Sequence, residues 1–166
     1  MPIIESILAE LDLEARTARR VLERVPESKF GWKPHDKSMT LGYLAVHLAT
    51  IPGFFGRLAT LDGFDAANFT PPVLPDTTAG LLAVFDTSMA DARKFLSSLD
   101  DSKLMAPWAF SNGGKTLMTM PRIGLIRSIL CNHFYHHRGQ LSVYLRLLDI
   151  PVPSIYGPSA DENPFA

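Results

Sequence analysis

Cys131-Asn132-His133-Phe134-Tyr135-His136-His137-Arg138-Gly139-Gln140 holds three of the five histidines of this 166-residue chain. His133 and His137 are four residues apart, and on an α-helix such a pair shares one face with Cβ atoms about 5–6 Å apart. Two imidazoles at that spacing can grip one metal ion. The surrounding residues support the helix: Ile126, Leu130, His133, His137, Leu141, Tyr144 and Leu148 recur at steps of three and four, an inward stripe in which the histidines stand where apolar residues are expected. Pro121 suits a first helical turn, and Ile150-Pro151 ends the helix near Asp149.

Outward from that stretch, three more amphipathic helices are predicted. The first runs from Ile4 to about Val25, with an apolar stripe through Leu8, Leu11, Ala15, Ala18 and Leu22. The second runs from Ser38 or Thr40 to about Leu61, with Leu44, His47, Leu48, Ile51, Phe54, Phe55 and Leu58 on one side. The third is capped by Asp76 or Thr77, carries Leu82, Phe85, Met89, Ala92, Leu96 and Leu99, and ends at Asp100. Pro52 inside the second helix predicts a kink, eased by Gly53 and Gly56.

The connections are equally legible. Residues 26–39 form a loop that Phe30 and Trp32 anchor and in which His35 is solvated. Asp62 to Asp76, with Gly63 and three prolines at 71–75, reads as a long crossover without regular structure. Trp108-Ala109-Phe110 followed by Asn112-Gly113-Gly114 predicts a short β-hairpin or tight loop before the fourth helix. Residues 150–166 contain four prolines and form an extended tail across the helices. The expected architecture is an all-α four-helix bundle, a single domain over residues 1–166.

Composition narrows the function classes. The chain is 46% hydrophobic and 20% charged, with a formal net charge of −1 and a pI near 6.5. It lacks the positive field that nucleic-acid binding requires. One cysteine, Cys131, excludes an intramolecular disulfide, and the opening Met-Pro-Ile-Ile-Glu-Ser has no signal-peptide pattern, so a cytoplasmic protein is expected. Thr40 to Leu61 is interrupted by His47, Pro52 and Arg57, which argues against a membrane span.

Three histidines thus fall on core-facing stripes: His47 on the second helix, His133 and His137 on the fourth. Buried without partners, each orphaned ring nitrogen costs roughly 1–3 kcal/mol. A shared metal ion accounts for all three, and three imidazoles with an open fourth position match a catalytic rather than a structural zinc site. His136, about 60° around the helix from His133, borders the site. Gln140, seven residues on and nearly in line, is a candidate partner for a ring N–H or for bound water. Cys131 faces away and reads as a core thiol.

Four segments, Phe30-Gly31-Trp32-Lys33-Pro34, Leu44-Ala45-Val46-His47-Leu48-Ala49, His133 to Leu141 and Pro153 to Glu162, resemble the DinB-like (DinB/YfiT-like) superfamily of metal-binding four-helix bundles, over nearly the whole length. The resemblance implies up-down-down-up connectivity, a homodimer, and a Zn, Ni or Fe ion on His47, His133 and His137. It also implies that the tail, through Tyr156, closes one side of the metal pocket. The family's name derives from damage-inducible expression and implies no contact with DNA. Related proteins are thiol S-transferases and isomerases, so the expected activity is a metal-dependent reaction of a low-molecular-weight thiol, S-transferase-like, or hydrolysis by water on the metal. The competing expectation is a non-enzymatic metal-binding stress-response or dimerising protein. No residue beyond the three histidines is assigned a step.

Overall fold

A computed structural model describes residues 2–165. The chain is mostly helical with a small three-stranded sheet. The long helices are α1 (Ile3–Leu22), α2 (Leu41–Leu58), α3 (Thr78–Leu96) and α6 (Asn132–Leu147); α4 (Asp101–Met105) and α5 (Arg122–Gly124) are short. The starts of α2, α3 and α4 have a local cause. Thr40 accepts from the Tyr43 amide, Thr77 from Gly80 and Asp100 from Lys103, so side-chain oxygens satisfy first-turn N–H groups.

The core is filled by Leu11, Leu22, Leu41, Leu44, Leu48, Ile51, Leu81, Phe85, Leu96, Phe134 and Leu141, all essentially excluded from solvent. Contacts fix how the helices run. Asp12 pairs with Arg93 and Arg19 with Asp86, so α1 and α3 are antiparallel. Gly53 donates to Ser88 Oγ at 2.8 Å, and a Cβ on Gly56 would sit 2.9 Å from Ala92 Cα. α2 and α3 therefore run in the same sense, at a closeness that only glycine permits here. Glu10 meets Arg127 and Glu14 meets Arg138, so α1 runs parallel to the last helix.

Three features depart from the sequence-based expectations. The all-α expectation is corrected by the sheet, and the crossover after α2 is not wholly irregular. Gly63–Asp65 forms β1, which pairs in parallel with β2 (Pro107–Asn112), itself antiparallel to β3 (Lys115–Pro121). A three-residue strand has too few positions for alternation to register, and its partner lies more than forty residues further on. The β2–β3 turn is Asn112-Gly113-Gly114, with φ of 58° and 80° at the two glycines. Asp65 ties it back to β1 by accepting both glycine amides, and these with the Ala67 amide hold its carboxyl below the ordinary range.

The last helix is also interrupted. Between α5 and α6, Leu125–Cys131 adopts a π-helix, in which each turn holds an extra residue. The backbone stays right-handed helical through Gly124 and Asn132, so residues 122–147 form one continuous rod. The extra residue rotates the faces: Leu125, Ile126, Leu130 and Cys131 are all buried, and past the π stretch the deepest positions are Phe134, Leu141 and Leu145. His133 and Tyr144 are only half-buried.

The tail is pinned onto α1 and α6. Glu162 pairs with Arg20 and accepts from the Ser154 amide, and Asp161 pairs with Arg146 and accepts from the Val152 amide. No helix among the described residues is long and apolar enough to cross a membrane.

Candidate metal centre

α2 brings His47 to the turn of α6 that carries His133 and His137. The ring centroids are 5.0 Å apart for His47 and His133, 4.6 Å for His47 and His137, and 4.5 Å for His133 and His137. One ring nitrogen from each lies within 4.8 Å of the others, and Nε2 of His47 is 3.2 Å from Nε2 of His133. A tetrahedral ion with bonds of about 2.0–2.1 Å places neighbouring donors about 3.3 Å apart, a spacing that the His47–His133 pair matches, with the His137 donor within reach of the same ion.

The electrostatics fit as well. Burial pushes the His47 and His133 imidazoles down to about 4, and neighbouring histidine charge adds to this. Burial also lowers His137, against a hydrogen bond to Gln140 that works the other way. Neutral imidazole is the form that offers a lone pair to a metal. Nδ1 of His137 is 2.6 Å from Gln140 Oε1; an amide oxygen only accepts, so His137 carries its proton on Nδ1 and presents Nε2 to the site. His133 Nδ1 is buried without a partner.

The remaining candidates fall in different places. His136 is exposed on the rim, its ring 5.0 Å from that of His137. Tyr156 is not among the histidines: its hydroxyl donates to Glu14 Oε2 at 2.8 Å and accepts from Arg138, on the side of α6 that faces α1. Burial raises the Tyr156 hydroxyl and the bond to Glu14 reinforces it. Cys131 is buried, its thiol pushed up by burial, in a cluster with Tyr135, Glu10 and Arg127. His35 lies in its exposed loop, accepting the Lys37 amide.

Sequence reasoning did not single out the aromatic groups around the triad. Tyr43 stacks parallel to His47, and the Phe55 ring sits 5.7 Å from that of His133. Tyr43 precedes His47 by four residues on α2, and that helical spacing was the available signal.

The family model described as DinB family matches residues 4–164. The chain belongs to the DinB family. YrdA of Bacillus subtilis (strain 168) is 26% identical over 161 residues, 96% of this chain and 91% of that protein. Among solved structures, the DinB-like protein YjoA of Bacillus subtilis has a TM-score of 0.72 at 19% identity, covering 90% of this chain and 97% of that one. A DinB-like protein of Bacillus cereus ATCC 10987 has a TM-score of 0.68 at 20% identity, covering 92% and 97%. At these identities the two structures show that the fold is shared.

Proposed function

We propose that this DinB-family protein binds a divalent transition metal, Zn, Ni or Fe, through His47, His133 and His137, and acts as an enzyme on a low-molecular-weight thiol or on water. The observation that carries the reading is the convergence of three neutral imidazoles from two helices, with one donor nitrogen from each within 4.8 Å of the others and a single proton-sharing contact between them. Three ligands leave a position open. An ion held there would lower the pKa of a thiol or water in that position, making the nucleophile at neutral pH.

The chain's own residues then have definite tasks. Gln140 fixes the His137 tautomer and keeps Nε2 directed inward. Phe55 and Tyr43 flank the imidazoles, limiting their rotation and excluding bulk water from one side. In this reading His136, on the rim with its ring 5.0 Å from that of His137, would meet the polar part of an incoming thiol. In the same reading residues 1–166 are one domain, and α1, α2, α3 and α6 make a four-helix bundle of up-down-down-up connectivity. The antiparallel α1–α3 and parallel α2–α3 and α1–α6 contacts support it.

Thiol consumption with glutathione, bacillithiol and mycothiol against a panel of electrophiles tests the activity. The wild type is expected to consume one of these thiols in a metal-dependent way and His137→Ala to lose at least about a hundredfold, as expected when a ligand of a catalytic ion is removed. Equal rates for the two proteins would remove the basis of the enzyme reading.

A further inference from the structure

Beside the histidines lies a cavity of about 430 Å³, with His47 in its wall and Phe54, Phe55, Phe64, Phe69, Trp108 and Phe110 around it. We propose that this cavity receives the apolar, aromatic-sized body of the substrate, with its reactive head at the histidines. The inference rests on the metal-site reading for the head group, and on the cavity alone for the body.

Four observations carry it. The volume falls in the range of small-molecule sites, roughly 300–1,000 Å³. The walls come from α2, the loop after β1, the sheet and the π-helical stretch, so the space is concave on several sides rather than one open face. Among the described residues His47 is the only ionisable group in the lining, so the body of a ligand meets carbon and its polar end has one place to go. The rings are already arranged: Phe54 makes edge contacts with Phe55, Phe64 and Phe69, at centroid distances of 5.0, 5.6 and 5.7 Å, which presents π-faces and edges to a planar guest.

The π-helix belongs to the same device. Leu125 and Ile129 line the cavity, and Leu125 is buried in the core together with its neighbours Ile126 and Leu130. The chain's own tail does not fill the space, because residues 152–162 are held on the α1 side through Arg20, Arg138 and Arg146.

Two hydroxamic acids with the same chelating head, acetohydroxamic acid and 2-naphthohydroxamic acid, separate head from body. Binding is read from Trp108 emission in a Trp32→Phe background, on protein with one zinc per chain and on metal-free protein with 2-naphthol as a probe lacking the chelating head. The naphthyl compound is expected to bind at least about tenfold tighter than the acetyl compound. Ala66→Phe, which fills the cavity from its wall, is expected to erase that difference while leaving zinc content and acetohydroxamate affinity unchanged. Phe69→Ala, at an exposed wall position, should weaken the naphthyl compound alone.

Equal affinities for the two acids on zinc-loaded protein, or an advantage that survives both substitutions, would overturn the proposal. So would naphthyl binding that weakens as protein concentration rises, since a second copy would then occupy the space. If the protein takes up no zinc, the metal reading fails separately. Quenching of Trp108 by 2-naphthol that Ala66→Phe abolishes would then still support the pocket, and its absence would overturn it.

Discussion

One turn of α6 carries two polar clusters on opposite sides, and they are built on opposite terms. Toward α1, the Arg138 side chain is 1% exposed and the Glu14 side chain 15%; they form an ion pair, and Tyr156 joins it by donating to Glu14 and accepting from Arg138. Arg138 also donates to the Glu14 carbonyl and lies over the Tyr135 and Tyr156 rings. Toward α2, three imidazoles converge, Nε2 of His47 and His133 share at most one proton, and His133 Nδ1 has no partner. The first cluster is complete as it stands and fastens the tail to the helices. The second is costly without something in its centre, and unmet polar capacity at a shaped site is what separates a binding centre from a structural one.

The largest test of this contrast is Glu14→Ala. It leaves Arg138 buried and unpaired, and is expected to cost about 3 kcal/mol or more in chemical denaturation, with most of the loss recovered when Arg138→Met is added. Next is the metal. At a free zinc concentration near 100 times Kd the wild type should gain about 2.7 kcal/mol over its metal-free form, a gain that His137→Ala abolishes and Tyr156→Phe keeps.

Acid separates the two sides further. In the metal-free protein the folded-state pKa values of His47 and His133 lie near 4, against 6.5 for an ordinary histidine. Between those values the unfolded chain binds more protons than the folded one. Stability should be full above about pH 6.5 and fall as pH drops toward 4, a slope seen in denaturant midpoints from pH 7.5 to 4. His133→Leu should flatten part of that slope. The same change should raise metal-free stability at pH 7.5 by roughly 1 kcal/mol, because it removes an unpaired buried nitrogen. The smallest effect is that of Tyr156→Phe, about 0.5–1 kcal/mol of lost stability with metal affinity unaltered.

The sequence made the helices and the triad's place legible because both depend on short-range periodicity. His47, His133 and His137 stand in apolar stripes, and Thr40 and Thr77 cap where capping residues are expected, whereas Asp100, read as the end of the third helix, instead caps the short α4. The features that escaped depend on long-range pairing or on a local change of pitch. β1 exists because Gly63–Asp65 meets Ala109–Ser111, and the π stretch shifts the faces of Leu125–Cys131 without leaving a trace in composition. Tyr156 was expected at the metal pocket, but its hydroxyl is held between Arg138, 18 residues before it, and Glu14, 142 residues before it. Gly53 and Gly56 were read as easing a proline kink, whereas their contacts with Ser88 and Ala92 set how closely α2 and α3 pack.

The contrast across α6 rests on the histidine side holding an ion. Elemental analysis with X-ray absorption, on protein purified without a metal-affinity tag and expressed with zinc, nickel and iron supplied, measures this directly. The expected result is close to one divalent ion per chain with three imidazole nitrogens and at least one exchangeable ligand, lost in His137→Ala. Less than about a tenth of an equivalent, or equal occupancy in wild type and His137→Ala, would contradict it.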